Sequence, residues 1–197
     1  MSQRVCANLS VSLDGIAAGH HQTKERPFGN QIGERMDVWM FERTADHQAE
    51  VDAIVDAGAF VMGRNMFGPD RGDWDLDWKG WWGDDPPYHA PVFVLAHRER
   101  APIETEGGTT FHFVTDGIES ALARAREAAG DRDVAVMGGA TTINQYLRAG
   151  LIDELSLHIL PITVGDGVRI FDGVGEIELK PVSSRTTPEV THVTWRR

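Results

Sequence analysis

The sequence predicts a single-domain, three-layer α/β fold with a mixed, mostly parallel central sheet and antiparallel C-terminal strands. Up to about residue 150, short apolar runs typical of buried strands alternate with segments of helical periodicity, and after that only strand-like segments follow. Strands that alternate with helices favour a parallel sheet, whereas consecutive strands favour antiparallel pairing. The 197 residues contain no linker or repeat, so we expect one domain over 1–197 with a tryptophan-rich insert at about 70–90.

Composition and charge exclude several classes of function. A net charge of −11 and a pI near 5.1 argue against nucleic-acid binding, which calls for a basic face, but they allow a small anionic ligand. The single cysteine, Cys6, forms no internal disulfide and supports no metal cluster. We find no secretory signal pattern and no apolar run of the roughly 20 residues needed to cross a bilayer. We therefore expect a cytoplasmic protein with a small-molecule ligand.

The individual elements follow from hydrophobic periodicity and from turn residues. Apolar or alternating runs predict strands over 4–13, 59–62, 92–95, 111–114, 134–137, a segment ending at Leu160, 176–184 and 190–195. Helical periodicity predicts helices within 37–57, over 117–130 and from about 140 to Gly150. We expect Asp46 to cap the first of these helices and Gly58 to stop it.

A glycine pair between a strand and a helix is the first candidate binding element. Gly138 and Gly139 follow the run 134–137, and Ala140, Thr141 and Thr142 open the next helix. Glycine lets a ligand approach the backbone, and the amides and dipole at a helix N-terminus favour an anion. The stretch therefore suits a phosphate group, although the same residues also suit an ordinary strand-to-helix turn.

Basic residues follow two other predicted strands. Gly63 and Arg64 come after the run 59–62, and His97 and Arg98 come after the run 92–95. A guanidinium grips two phosphate oxygens, but a surface arginine that pairs with a carboxylate is an equally good interpretation of Arg64. Since ligands of such sheets bind beyond the carboxyl ends of the strands, all three turns are expected to converge on one phosphate-bearing ligand.

The segment 68–91 is unusual because it combines four tryptophans with six aspartates and several glycines and prolines. The tryptophans are Trp74, Trp78, Trp81 and Trp82, and the aspartates are Asp70, Asp73, Asp75, Asp77, Asp84 and Asp85. A loop this long inside a compact domain is usually functional, as an active-site cover or a dimer contact. A surface excursion without function is the alternative.

Histidines give no metal-binding pattern in the sequence. The adjacent His20 and His21 lack a second ligand cluster at helical or hairpin spacing, and the other six histidines are scattered. We therefore predict no metal site.

Five motifs and one longer stretch resemble the dihydrofolate reductase-like superfamily in their order and spacing. They are SLDG (12–15), VMGRNMF (61–67), VLAHR (94–98), VMGGAT (136–141), LIDEL (151–155) and the stretch from Pro161 to Phe171. The more similar branch is the C-terminal reductase domain of riboflavin biosynthesis. The resemblance covers nearly the whole chain apart from the insert, and it implies the α/β sheet described above with NADPH as the hydride donor.

The resemblance also implies which residues hold the cofactor. The adenosine phosphates would lie against Gly63, Arg64, His97 and Arg98, and the second of these strand ends would read the 2′-phosphate. The pyrophosphate would lie against Gly138, Gly139, Ala140 and Thr141. The first strand and its loop would pass beside the nicotinamide, which places Ala7 and Ile16 near the cofactor and Asp14 near the substrate.

The substrate is less well specified because the sequence departs from its relatives. Riboflavin-pathway reductases commonly carry an acid where this chain has Met137, and an arginine on the helix before the second strand, where 46–57 has none. Dihydrofolate reductases carry a carboxylate on that helix, for which Asp46, Glu50 and Asp52 are candidates.

The resulting hypothesis is an NADPH-dependent reductase of a pyrimidine- or pteridine-like heterocycle, of the 5-amino-6-(5-phosphoribosylamino)uracil reductase type. Dihydrofolate reduction and the reduction of another small molecule are alternatives within the same class. A nucleotide-binding or interaction protein that retains the fold is the non-enzyme alternative, and a homodimer is compatible with each of them.

Overall fold

A nine-stranded sheet forms the centre of the structure, a computed structural model that describes residues 3–30, 32–69 and 72–197. A separate pair of short strands, β2 and β9, lies beside it. In chain order the strands are β1 (Val5–Ser12), β2 (Ile16–Ala18), β3 (Ala59–Gly63), β4 (Pro91–Leu95), β5 (Ile103–Glu104), β6 (Thr110–Val114), β7 (Val134–Val136), β8 (Glu154–Leu160), β9 (Val168–Arg169), β10 (Lys180–Thr186) and β11 (Thr191–Arg196).

Five α-helices and three short 3-10 helices connect the described strands. The α-helices are α1 (Val38–Phe41), α2 (Gln48–Val55), α3 (Arg64–Phe67), α4 (Ile118–Ala129) and α5 (Ala140–Arg148). The 3-10 helices are Gly33–Met36, Thr44–Asp46 and Glu106–Gly108. None of the helices in the described ranges combines the length and the apolar character that a bilayer crossing requires.

The sheet is mixed and mostly parallel. Its strand order is β10-β11-β8-β1-β7-β3-β4-β6-β5. The six inner strands from β8 to β6 run parallel, whereas β11, β10 and β5 pair antiparallel at the two ends. The predicted α/β fold with antiparallel C-terminal strands is therefore confirmed. One consequence is that the carboxyl ends of all six parallel strands lie at the same edge of the sheet.

Apolar layers cover both faces of the sheet, which makes the fold three-layered. Along β3, Ala59 and Val61 join the core beneath α4 and α5, whereas Phe60 and Met62 join a second core on the opposite face. The second core is closed by Phe67 of α3 and by part of the tryptophan-rich segment. Because both faces are buried, β3 is an uninterrupted apolar run, and this is why the sequence predicted it correctly.

The region between Asp37 and Gly58 differs from the prediction. Two short helices, α1 and α2, flank a 3-10 turn that contains Asp46, and α2 begins after His47, which makes no side-chain capping bond. The expectation that Asp46 caps this helix is therefore wrong. The helix also ends at Val55, before Gly58. The Thr44 hydroxyl donates to the Met40 carbonyl at 2.5 Å, which fastens the intervening turn locally.

The outer strand β10 is exposed along its whole length. It pairs with β11 from Lys180↔Arg196 to Thr186↔Thr191, and the register shifts between Pro181 and Ser183. The sheet therefore ends on this side in an irregular strand that contains a proline.

Gly63 lies so close to α5 that a side chain does not fit there, which generates a first prediction. A Cβ atom on Gly63 would lie 2.3 Å from the Thr142 hydroxyl oxygen. We expect Gly63→Ala to destabilise the protein by about 1–3 kcal/mol in urea unfolding, as overpacking does. In a Thr142→Ala background, which removes the clashing hydroxyl, the same substitution should cost much less. Strictly additive effects of the two substitutions would contradict this packing account.

Candidate functional site

The carboxyl ends of the parallel strands open onto a cleft of about 1430 Å³. The turn after β3, the turn after β4 and the beginning of α5 all border it. Of the residues proposed from the resemblance, those that line the cleft are Gly63, Arg64, His97, Arg98, Gly139, Ala140 and Thr141. The structure thus brings together three turns that are far apart in the sequence. Their role in cofactor binding stays a prediction.

The glycine pair joins β7 to α5 at the inner wall of the cleft. The Gly138–Gly139 peptide bond is cis, and Gly138 has a φ of +94°, a conformation that favours glycine. Gly139 is the N-cap of α5, and its carbonyl accepts hydrogen bonds from the amides of Thr142 and Ile143 at 2.9 and 3.1 Å. The preceding amides at the helix start have no acceptor within the helix. A Cβ atom on Gly139 would meet no heavy atom within 4 Å, so the backbone is accessible there.

The Arg64 guanidinium lies against an aromatic wall of the cleft. Its carbon atom is 3.9 Å from the centroid of the Trp74 ring, and its Nη1 donates to the Gly68 carbonyl at 2.8 Å. Cation–π contact and the hydrogen bond together orient the guanidinium at the cleft. The charge of Arg64 is therefore held in place by the tryptophan-rich segment.

The strand end after β4 supplies a second, more exposed basic group. Arg98 forms an ion pair with Asp73, and both side chains are mostly exposed to solvent. Such a pair contributes little to stability, so the guanidinium can exchange its partner at low cost. Trp74 and Asp73 are neighbours in the chain, so both arginines at the cleft contact the same segment.

Three residues expected beside the cofactor do not line the cleft. Ala7 is buried in β1 between Val136 and Leu155, and Ile16 is also buried. Leu9 and Ser10 of β1 and Ala17 and Ala18 of β2 reach the cleft instead. Gly138 lies one residue behind Gly139 and likewise does not border it. The register of β1 therefore places residues nearer its carboxyl end at the cleft than the resemblance implied.

Asp14 does not line the cleft either, because its carboxylate fastens a loop. It accepts hydrogen bonds from the Ser12 hydroxyl at 2.6 Å and from the amides of Val164 and Gly165 at 3.1 and 2.8 Å. These bonds lower the pKa of Asp14 to about 2, with the Ser12 hydroxyl as the largest cause. Instead of the expected substrate contact, the structure gives Asp14 a structural contact between the end of β1 and the loop after β8.

Aromatic side chains form a large part of the cleft lining. Trp39 and Phe41 come from the region of α1, and Trp81, Trp82 and Tyr88 come from the tryptophan-rich segment. The segment also lines the cleft with Trp74, whereas Trp78 packs beneath it and donates its indole N–H to the Phe67 carbonyl at 2.8 Å. Asp70 lies outside the described residues. Flat aromatic surfaces of this kind suit a planar ligand.

The helical carboxylates considered as substrate ligands face away from the cleft. Glu50 pairs with Arg185, and Asp52 accepts a hydrogen bond from Gln48. The face of α2 that lines the cleft is apolar, with Val51, Ile54 and Val55. Among the lining residues that the structure describes, the carboxylate is Asp37, just before α1. The sequence prediction missed it because the helix was expected to begin later.

A buried histidine cluster lies behind Trp39 and was also missed. His47, His158 and His192 are at most 6% exposed and lie together in the structure, although they are scattered in the sequence. Burial, as the largest cause, lowers the pKa of His158 to about 3 and that of His192 to about 4. Strand alternation was the available signal, because His158 and His192 pair directly across β8 and β11.

Comparison with known proteins identifies the family. The model of the family described as "RibD C-terminal domain" matches residues 3–193. The chain belongs to the RibD C-terminal domain family. The match covers nearly the whole chain, insert included, and it confirms the resemblance to the reductase branch of riboflavin biosynthesis.

Individual relatives are more distant. The uncharacterized protein YyaP of Bacillus subtilis (strain 168) is 29% identical, over 93% of this chain and 89% of that protein. A putative riboflavin biosynthesis protein from Shewanella sp. PV-4 has a TM-score of 0.69 at 24% identity, with 99% of each chain covered. A dihydrofolate reductase from Enterococcus faecalis, solved in complex with NADP(H), has a TM-score of 0.59 at 15% identity, over 98% of this chain and 96% of that one. At these identities the two solved structures establish a shared fold.

Within this RibD C-terminal domain, the structure shows where the two departures from the related reductases lie. Met137 precedes the glycine pair and lines the cleft. The helix α2 presents valine and isoleucine to the cleft and no arginine. Both departures therefore place apolar side chains at the cleft.

The hydrogen bonds to Asp14 lead to a second prediction. Because its pKa is lowered from 3.8 to about 2, its stabilising effect is complete above about pH 5 and is lost as the pH falls through about 2. We expect Asp14→Asn to be less stable than the wild type at pH 7, and the difference in melting temperature to shrink between about pH 5 and pH 2. A difference that stays constant over this range would contradict the assignment.

Proposed function

We propose that this protein is an NADPH-dependent reductase of a pyrimidine- or pteridine-like heterocycle. The observation that carries the proposal is that one cleft gathers two sets of groups. One set consists of Arg64, His97, Arg98 and the open start of α5, and the other consists of aromatic and apolar side chains. A dinucleotide with several phosphates suits the first set, and a flat heterocycle suits the second.

In the proposed cofactor site, three turns would each contact a different phosphate group of the dinucleotide. The accessible backbone at Gly139 and the first amides of α5 would hold the pyrophosphate, since an anion is favoured at a helix N-terminus. Arg64, oriented by Trp74, would contact the adenosine phosphates. His97 and Arg98 would contact the 2′-phosphate and favour NADPH over NADH. The NADP(H) complex of the dihydrofolate reductase with the same fold supports this choice of cofactor.

In the proposed reaction the protein itself forms no covalent bond with the substrate. A bound nicotinamide would supply a hydride to an unsaturated carbon of the heterocycle, and a neighbouring nitrogen or oxygen would take up a proton. The chain's own residues would orient the two rings and exclude water, which the tryptophans and methionines of the cleft can do. We assign proton supply, directly or through water, to Asp37, the carboxylate on this part of the cleft.

The alternatives predict different behaviour. A dihydrofolate reductase would turn over dihydrofolate, and a riboflavin-pathway enzyme would turn over the phosphoribosylaminouracil. The aromatic and apolar lining of the proposed substrate site favours an uncharged heterocycle over the phosphoribosylaminouracil as substrate. A non-enzyme that retains the fold would bind NADPH without oxidising it in the presence of any acceptor.

Arg98 provides the direct test of cofactor binding. We expect NADPH to bind with higher affinity than NADH, measured by tryptophan quenching and checked by calorimetry. Arg98→Ala should weaken NADPH binding about tenfold, or about 1.4 kcal/mol, and leave NADH binding nearly unchanged, because only NADPH carries the 2′-phosphate.

Arg132→Ala is the matched control for this experiment. Arg132 and Arg98 are both 58% exposed and both pair with an aspartate, but Arg132 does not line the cleft. Equal losses in the two variants would refute the assignment of Arg98. If neither fluorescence quenching nor calorimetry detects binding of NADPH or NADH to the wild type, the reductase proposal itself is refuted.

Asp37 is tested by turnover with whichever acceptor the protein reduces. We expect Asp37→Asn to lower kcat by about 10²–10⁴-fold, as loss of a general acid does, with the Kd of NADPH little changed. Asp52→Asn, a carboxylate change on the exposed side of α2, serves as the control. An unchanged kcat in Asp37→Asn would exclude Asp37 as the source of the proton.

A further inference from the structure

The histidine cluster behind Trp39 contains a set of side chains with the spacing of metal ligands. His47 precedes α2, Glu50 lies in the first turn of that helix, and His192 lies on β11. One ligand atom from each of them lies within 4.8 Å of the other two. Both histidines are buried, and Glu50 is partly buried. Two chain segments that are about 140 residues apart thus meet at this point.

We propose that His47, Glu50 and His192 bind a divalent metal ion of the late first transition series, with Zn²⁺ as the preferred ion. Two imidazoles and one carboxylate form a donor set that suits Zn²⁺ and its neighbours in that series, whereas Mg²⁺ and Ca²⁺ prefer oxygen ligands alone. The proposal concerns a site separate from the cleft and does not depend on the proposed reductase activity.

The distances in the cluster support this assignment. His47 Nδ1 is 2.9 Å from His192 Nε2. Two nitrogens bound to one tetrahedral Zn²⁺ at about 2.0–2.1 Å lie roughly 3.3 Å apart, so the rings need to separate by only a few tenths of an ångström. The ligand atoms are therefore already close to their positions in a metal complex.

Hydrogen bonding alone does not satisfy this cluster. Within the described residues, His47 Nε2 and His158 Nε2 are buried and make no hydrogen bond. Neither of them is a proposed ligand atom, so a bound metal would not pair them. Unpaired buried polar atoms are costly in a folded protein, so apolar residues would fill this part of the core at a lower cost than three imidazoles.

Arg185 contacts two of the proposed ligands and competes with a metal for them. Its guanidinium donates to both Glu50 oxygens at 2.7 Å, and its Nη2 also lies 3.1 Å from the Asp46 carbonyl and 3.0 Å from His47 Nδ1. A guanidinium only donates, so the contact with His47 Nδ1 is a hydrogen bond when that atom carries a lone pair, which is the form that a metal binds. The Arg185 side chain is 44% exposed on the outer strand β10, so it can move into solvent when a cation replaces it.

His158 is placed to orient the third ligand. Its Nδ1 lies 2.7 Å from His192 Nδ1. When His192 Nε2 binds the metal, the neutral His192 ring carries its proton on Nδ1. That N–H donates a hydrogen bond to His158 Nδ1, so the single proton of the His158 ring then lies on His158 Nε2. Metal-binding histidines almost always donate their other N–H in this way. The Trp39 ring packs against all three imidazoles at centroid distances of 4.5 to 5.6 Å. Of the three, His158 also lines the cleft, whereas His47 and His192 do not.

Zn²⁺ titration of the full chain tests the proposal. We expect one Zn²⁺ to bind per chain in calorimetry, and Co²⁺ to give the visible absorption of a tetrahedral site. Arg185→Ala should bind Zn²⁺ at least tenfold more tightly, because it removes a competing cation and frees two ligands. Glu50→Gln and His192→Gln should each weaken binding at least tenfold. Arg185 is exposed, so its variant provides a measurement even where the buried variants fold poorly.

The paired substitution of His20 and His21 by alanine is the control. These two histidines lie outside the cluster, on an exposed loop, and His20 pairs with Asp166 at 3.3 Å. Loss of Zn²⁺ binding in this variant and not in Glu50→Gln would overturn the proposal. The proposal would also be overturned if neither the wild type nor Arg185→Ala binds Zn²⁺. Binding by Arg185→Ala alone would overturn it as well, because the native arginine would then exclude the ion.

Discussion

The contact between Gly63 and the start of α5 is the constraint on which the cleft depends. The Gly63 amide donates to the Gly138 carbonyl at 3.0 Å, and the Thr142 hydroxyl occupies the place that any side chain at position 63 would need. This contact fixes the distance between the turn that carries Arg64 and the glycine pair. Parallel pairing then places the remaining strand ends at the same edge. The cleft thus depends on close packing of the Gly63 backbone against the Gly138 carbonyl and the Thr142 hydroxyl.

Much of the fold could be predicted because it depends on local patterns. The buried strands at 59–62, 92–95 and 134–137 are short apolar runs, and the helix at 118–129 ends at glycines with positive φ. The three turns at the cleft were predicted to meet because the carboxyl ends of parallel strands share one edge. The region around α1 and α2 could not be predicted as well, since its helices are short and are held by tertiary contacts that no local pattern encodes.

Side-chain roles were harder to predict than backbone positions. Asp14, expected beside the substrate, is held by a hydroxyl and two amides that only the folded loop brings to it. Asp37 reaches the cleft only in the folded chain. The histidine cluster and the stacking of Arg64 on Trp74 each join residues from separate segments of the chain. The tryptophan-rich segment illustrates the same limit. Its composition indicated a function, but its contribution to both the second core and the cleft wall depends on packing against β3 and β4.

The irregular outer strand has a consequence for how the molecule behaves in a crowded solution. A fully exposed, regular edge strand offers unpaired amides and carbonyls on which a second chain can add a strand, and repeated addition leads to fibres. On β10, Pro181 has no amide hydrogen, and the register shift beside it interrupts the spacing of the other groups. The sheet can therefore remain open at this end without serving as a template for aggregation.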